Sequence, residues 1–140
     1  MMKKAWYYIA LIMALSISAT ALACDLTEKT ADGYENASVA HAFQHWQQGD
    51  KSPIPFAMLD VRTPEEYAEG HIPGAVLIPV QELEQRLGEV PKDRQVYVYC
   101  RSGVRSVQAS KILAGAGFTH IENVEGGIKA WQAAGFPIEQ

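Results

Sequence analysis

A single cysteine stands where a short apolar strand should end and a helix should begin, and this junction constrains the fold more than any other stretch. Residues 96–99 read Val-Tyr-Val-Tyr, a run that predicts a strand buried on both faces. Cys100 follows directly. From 106 to 116 the apolar residues recur with the period of a helix, on a stripe of Ala109, Ile112, Leu113 and Ala116. The pattern therefore places Cys100 in a tight loop that leads into a helix N-terminus.

The surroundings predicted for Cys100 favour its thiolate form. Backbone N–H groups in such a loop and in the first helical turn have no intrahelical acceptors, and the helix dipole adds partial positive charge. Arg101 and Arg105 place two cations nearby, while Ser102 and Gly103 let the backbone curl with its amides inward. We therefore expect the Cys100 pKa to fall below the usual value of about 8.5. The alternative is a structural cysteine packed at a strand end, which the two arginines disfavour.

The rest of the chain alternates strands with helices. This alternation predicts an α/β fold with a central, mostly parallel sheet of about 4–5 strands and helices on both faces. In such sheets ligands bind at the C-terminal ends of the strands, where Cys100 and Asp60 would both lie. The predicted elements are a helix from 38 to 48, a strand at 56–59, a short helix from Pro64 to about Gly70, a strand at 75–78, a helix at 80–87, a strand near His120 and a helix from Gly127.

Three stretches resemble signatures of the rhodanese family, the sulfurtransferases. The six residues Cys-Arg-Ser-Gly-Val-Arg at 100–105 resemble its active-site loop. Residues 60–67 and 70–75 resemble its N-terminal signature, and 126–131 with 135–137 resemble its C-terminal one. All three occur in the family's order and cover most of residues 36–138. The resemblance implies a rhodanese-like domain over residues 36–140.

The resemblance also implies a persulfide cycle that uses no metal and no cofactor. Cys100 would take the outer sulfur of a donor such as thiosulfate and pass it to cyanide or a thiol. Arg101 and Arg105 would attract the anionic donor, and the backbone amides of Arg101, Ser102, Gly103, Val104 and Arg105 would hold the sulfur anion. Asp60 and Arg62 match family positions and are interpreted as a structural pair near the loop. His41 and His45 have metal-ligand spacing, but we expect a solvent-exposed pair because no third ligand is evident.

Two other functions remain alternatives. A phosphatase or arsenate reductase of the same fold has, by resemblance, five residues between its cysteine and arginine, whereas this chain has four between Cys100 and Arg105. The shorter loop disfavours a tetrahedral oxyanion. A sulfur carrier or redox partner in the cell envelope, without general turnover, would present the same loop.

The N-terminal segment predicts export. Lys3 and Lys4 precede an uncharged run, and small residues at 21–23 offer a cleavage site, so residues 1–23 are interpreted as a signal peptide and 24–35 as a flexible linker. We expect a periplasmic protein. Residues 21–24 also resemble a lipobox, so a lipid tether through Cys24 at the inner membrane is the alternative. A resting disulfide between Cys24 and Cys100 is not expected, because Cys100 must be free.

The charge balance argues against nucleic acid as a partner. The chain has 12 basic and 16 acidic side chains, and removal of residues 1–23 takes away two lysines and no acid. An acidic surface provides no electrostatic footprint for nucleic acid. We therefore expect small-molecule partners, while the oligomeric state cannot be inferred from the sequence.

Overall fold

A parallel β-sheet of five strands runs through residues 29–140, the part of the chain that this computed structural model describes. The strands lie in the order β1-β5-β4-β2-β3, and every adjacent pair is parallel. Asp60 pairs in register with Tyr99, so Asp60 and the residue after Tyr99 emerge at the same edge. The strands are β1 Glu35–Ala37, β2 Phe56–Asp60, β3 Val76–Leu77, β4 Gln95–Tyr99 and β5 Ile121–Val124.

Helices cover both faces of the sheet, as predicted. The α-helices are α1 Val39–Gln48, α2 Pro64–Glu69, α3 Val104–Gly115 and α4 Gly127–Ala133, and short 3₁₀ turns lie at Gly49–Lys51, Leu83–Gln85 and Leu87–Glu89. Ser38 caps α1 by accepting a hydrogen bond from the His41 N–H. Thr63 and Glu66 form a reciprocal capping box at the start of α2. These caps fix where both helices begin.

The two faces of β4 belong to two separate hydrophobic cores. Val96 and Val98 pack with residues of α3, while Tyr97 and Tyr99 pack with residues of α1 and α4. Because successive side chains of a strand point to opposite faces, a strand buried on both sides carries an unbroken apolar run. The fully buried helix residues that complete the cores are Ala109 and Leu113 of α3, Ala42 of α1 and Trp131 of α4.

Two segments differ from the sequence prediction. Residues 80–87 form 3₁₀ turns in place of a helix, because the buried Val80 and Leu83 repeat at a spacing of three and the Leu83 N–H donates to the Val80 carbonyl. The linker predicted for residues 24–35 is folded over its described part. There Tyr34 is buried in the core, its carbonyl accepts from the Thr30 N–H at 2.7 Å, and Glu35 begins β1.

The predictions for residues 1–23 and for Cys24 fall outside the described residues. Within residues 29–140, no helix combines the length and apolar character needed to cross a membrane.

The prediction of a solvent-exposed histidine pair in α1 is wrong, because His41 and His45 are both half-buried. His41 Nε2 lies 3.3 Å from a carboxylate oxygen of Glu122 on β5, and the His45 ring packs edge-on against Tyr97 at 5.7 Å. Burial, and then the neighbouring His41, lower the pKa of His45. Among the described residues no group of three or more His, Cys, Asp or Glu side chains could hold a metal ion.

Candidate active site

The loop that follows β4 encloses the Cys100 sulfur with hydrogen-bond donors. Cys100 is 1% exposed. The Gly103 N–H donates to Sγ at 3.1 Å, and the Ser106 hydroxyl lies 3.5 Å from Sγ. Gly103 has φ +107° and ends the loop where α3 begins, in a left-handed conformation that glycine adopts without steric cost. The glycine at position 103 allows the positive φ that turns the backbone N–H toward the Cys100 sulfur.

These hydrogen bonds determine the ionisation of the thiol. Burial acts to raise the Cys100 pKa, since a buried anion loses its hydration. The Ser106 hydroxyl and the backbone N–H groups of Ser106, Gly103 and Ser102 oppose burial, and the pKa of Cys100 is lowered overall. The lowered pKa agrees in direction with the sequence expectation, and its main favourable cause is the set of hydrogen bonds close to the sulfur.

The N-terminus of α4 holds the backbone of the loop. The Ile128 N–H donates to the Cys100 carbonyl at 2.9 Å, and the Lys129 N–H donates to the Arg101 carbonyl at 3.2 Å. Gly127 makes this approach possible, because a Cβ there would lie 2.3 Å from the Cys100 carbonyl oxygen. The backbone of the loop is therefore fixed by hydrogen bonds to both of its first carbonyls.

Arg105 forms an ion pair with Glu66 of α2. Its two terminal nitrogens donate to the two carboxylate oxygens at 2.7 and 2.8 Å. The Thr63 N–H donates to the same carboxylate at 3.1 Å. Hydrogen bonding from Arg105 is the largest cause that lowers the pKa of Glu66 to about 2. The guanidinium predicted to bind substrate thus ties α3 to α2 in this structure.

Asp60 and Arg62 form a buried ion pair at the end of β2. Arg62 Nη2 donates to Asp60 Oδ2 at 2.6 Å and to the Gly70 carbonyl at 2.8 Å. Arg62 Nη1 donates to the Glu66 carbonyl at 3.2 Å. Asp60 is fully buried and Arg62 is 4% exposed. Through Arg62 the pair holds the middle and the C-terminal end of α2, the helix that carries the carboxylate partner of Arg105.

A cavity of about 460 Å³ adjoins the loop. The loop contributes Arg101, whose side chain is exposed, and α4 contributes Ile128 and Lys129, whose N–H groups hold the two loop carbonyls. The remaining sequence-predicted residues of the loop, Ser102 and Val104, are exposed and do not line this cavity. The cavity is lined by Arg62, Glu66, Glu69, Gly70, Arg101, Ile128, Lys129 and Gln132.

Three residues of the site were not predicted as such from the sequence. The sequence pattern indicates Ser106 only as part of a helix, although its place in the first turn after the loop is a usable signal for a donor to the thiolate. It places Glu66 at the start of α2, and nothing in the local pattern indicates the pairing of Glu66 with Arg105. It indicates Gly127 only as a helix start. Its closeness to Cys100 depends on the tertiary fold.

Comparisons with known proteins show the family and the fold of this chain. Residues 33–134 match the sequence model of the family described as Rhodanese-like domain. A sulfurtransferase of Allochromatium vinosum is 47% identical over 81 residues, which is 58% of this chain and 76% of that protein. Thiosulfate sulfurtransferase PspE of Escherichia coli is 44% identical over 73 residues, 51% of this chain and 69% of that protein. The crystal structure of a rhodanese-related protein from Thermoplasma volcanium, 30% identical, superposes with a TM-score of 0.66 over 74% of this chain and 96% of that one.

Proposed function

This chain belongs to the family of rhodanese-like domains, and we propose that it is a sulfurtransferase that carries a sulfane sulfur on Cys100 as a persulfide. The observation that supports the proposal is the environment of the Cys100 sulfur. It is buried, yet the Gly103 N–H and the Ser106 hydroxyl lie close enough to stabilise an anion, and its pKa is lowered. A buried thiol without such donors would ionise less readily than free cysteine.

The first half of the cycle loads sulfur onto the enzyme. The Cys100 thiolate attacks the outer sulfur of thiosulfate and forms a new S–S bond. The bond between the two sulfurs of thiosulfate breaks, and sulfite leaves with the electron pair. The step consumes no oxidant and produces no net redox change beyond the transfer of one zero-valent sulfur. It is nucleophilic catalysis with a covalent intermediate, so we expect ping-pong kinetics.

The second half releases the sulfur to cyanide or to a thiol. The acceptor attacks the outer sulfur of the persulfide, the bond to Sγ breaks, and its electron pair returns to Sγ. Here Sγ is the leaving group, so the hydrogen bonds that stabilise its thiolate lower the barrier of this step. The same donors therefore serve both halves, because Cys100 begins the first as a thiolate and ends the second as one.

Arg101 is the loop cation proposed to attract an anionic donor. It is exposed at the cavity, whereas Arg105 is engaged by Glu66. Arg105 is proposed to act on the donor indirectly, by fixing the first turn of α3, from which the Ser106 hydroxyl reaches Sγ.

Intact mass of the purified protein after treatment with thiosulfate tests the proposal. We expect a gain of one sulfur atom in the wild type and none in Cys100→Ser, with both proteins folded by circular dichroism. Addition of cyanide should restore the original mass with release of thiocyanate, over repeated turnovers. Loading without turnover with any small acceptor would contradict the enzymatic proposal and favour the sulfur-carrier alternative. No loading from any donor would reject both.

We also propose that the protein is exported to the periplasm after removal of residues 1–23. The same mass measurement on protein recovered from cells tests this. A mass that begins at Cys24 without modification supports the soluble form, a diacylglyceryl addition identifies the lipoprotein, and retention of residues 1–23 contradicts both.

A further inference from the structure

Only some of the charged side chains that line the cavity beside the loop form ion pairs with other residues of the protein. Arg62 pairs with Asp60, and Glu66 pairs with Arg105. Three charged side chains that line the cavity form no ion pair within residues 29–140: Glu69 of α2, Arg101 of the loop and Lys129 of α4. All three are exposed. The cavity thus presents both signs of charge to a ligand, with the acid on α2 and the cations on the loop and α4.

The volume of the cavity and its mixed charges indicate an organic ligand. A cavity of about 460 Å³ falls within the range of roughly 300–1,000 Å³ that is typical of sites for small organic molecules. Thiosulfate has only negative charge to offer and would leave Glu69 without a partner. A ligand with both a carboxylate and an ammonium group satisfies Glu69 as well as Arg101 and Lys129.

We propose that this cavity selects the sulfur acceptor, and that the acceptor is a thiol of the amino-acid type, with a carboxylate and an ammonium group. Lys129 and Arg101 contact the carboxylate, and Glu69 contacts the ammonium. The inference rests on the proposed persulfide cycle and assigns its second substrate. The cavity adjoins the loop that holds the reacting sulfur, through Arg101, the next residue after Cys100, and through Ile128, whose N–H holds the Cys100 carbonyl.

The transfer step balances without any further reactant. The acceptor sulfur attacks the outer sulfur of the Cys100 persulfide, and an S–S bond forms between them. The acceptor reacts as its thiolate, the bond from the outer sulfur to Sγ breaks, and its electron pair stays on Sγ, so the negative charge that enters on the acceptor leaves on Sγ. Nothing is oxidised or reduced overall, since one zero-valent sulfur moves from one thiol to another.

A panel of four thiols tests the inference on persulfide-loaded protein. The probes are 2-mercaptoethanol, which is neutral, 3-mercaptopropionate, cysteamine and cysteine, with rates compared at equal thiolate concentration. We expect cysteine to react with the highest kcat/KM. Lys129→Gln should lower the preference for 3-mercaptopropionate over 2-mercaptoethanol by about two- to fivefold, the size of one exposed charge contact. Glu69→Gln should lower the preference for cysteamine by a similar factor and leave that for 3-mercaptopropionate intact or increased.

Glu65→Gln is the matched control, because Glu65 is an exposed acid on the same helix that does not line the cavity. It should leave all four preferences unchanged. Equal preferences in wild type, Lys129→Gln and Glu69→Gln would overturn the inference while the persulfide cycle stands. An equal change in Glu65→Gln would overturn it too, since only the net charge of the protein would then matter.

A binding measurement separates this inference from the proposed function. S-methylcysteine, which cannot accept sulfur, is titrated into unloaded protein and followed by NMR chemical shifts. We expect shifts at Arg101, Lys129 and Glu69, and weaker binding in Lys129→Gln and Glu69→Gln. If S-methylcysteine binds but Cys100 takes up sulfur from no donor, the ligand class is supported and the transfer chemistry is rejected. Absence of binding at these residues would overturn the inference whether or not Cys100 takes up sulfur.

Discussion

Replacement of Ser106 by alanine should raise the pKa of the Cys100 thiol by about one unit. The Ser106 hydroxyl lies 3.5 Å from Sγ, and Ser106 is completely buried, so no water replaces the lost donor. A hydrogen bond to a charged group contributes about 1.5–3 kcal/mol. The long S···O distance favours the lower value, and about 1.4 kcal/mol corresponds to one pKa unit.

The assay is the rate at which iodoacetamide alkylates Cys100 as a function of pH. The thiolate is the reacting species, so the midpoint of the profile reports the pKa. At a pH below both midpoints, a rise of one unit leaves about tenfold less thiolate and slows alkylation about tenfold. The direction follows from burial, which raises the pKa and is opposed less strongly once the Ser106 hydroxyl is gone.

Ser110→Ala provides the control. Ser110 is on the same helix, is equally buried, and its hydroxyl has no hydrogen-bond partner among the described residues. This variant removes the same atom from the same helix without touching the sulfur, so the alkylation profile should match that of the wild type. An unchanged midpoint in Ser106→Ala, or an equal shift in Ser110→Ala, would refute the view that the Ser106 hydroxyl holds the thiolate.

Three further predictions concern the residues that support the loop. The Glu66 carboxylate, with its pKa lowered from 4.5 to about 2, stabilises the fold above pH 4.5, and that stability is lost as pH falls toward 2. Glu66→Gln, which leaves Arg105 without its ion pair, should therefore make the unfolding free energy less dependent on pH in this window, as measured by urea unfolding. Gly127→Ala and Gly135→Ala both place a side chain at positive φ, and this backbone conformation alone should cost each variant about 1–2 kcal/mol of unfolding free energy. Only the first sets a Cβ against a loop carbonyl, while the second has no atom within 4 Å, so Gly127→Ala should lose more stability and also raise the thiol pKa. Asp60→Asn leaves a buried guanidinium without its counter-ion and should cost about 3–5 kcal/mol in the same unfolding assay. A loss below about 1 kcal/mol would contradict the burial of that pair.

The sequence predicts what local pattern controls. The junction at Cys100 was predictable because an apolar run, a cysteine, a glycine and a helical stripe follow one another within one short stretch. The caps of α1 and α2 were predictable for the same reason, since Ser38 and Thr63 each act on a residue three positions away. The sheet and its helices on both faces followed from the alternation of elements, and the structure confirms both.

Contacts between distant segments could not be predicted in this way. Glu66 and Arg105 are 39 positions apart, and either side chain alone reads as an ordinary exposed helix residue. β1 was missed because its three residues carry no alternating pattern and become a strand only by pairing with β5. The sequence indicates Arg105 as a cation for the substrate and does not reveal that Glu66 is its partner. A sequence shows which residues are charged, but it does not show which opposite charge lies next to each of them in the fold.

The hydrogen bonds from α4 to the loop make the surroundings of the Cys100 thiol dependent on α4. A chain that ends before Gly127 contains Cys100, Gly103 and Ser106, yet lacks the donors that hold the Cys100 and Arg101 carbonyls. During synthesis, the backbone around the sulfur thus acquires its final support only after α4 has left the ribosome. We therefore expect a truncation or a fusion near α4 to change the environment of Cys100, although Cys100 lies far from α4 in the sequence.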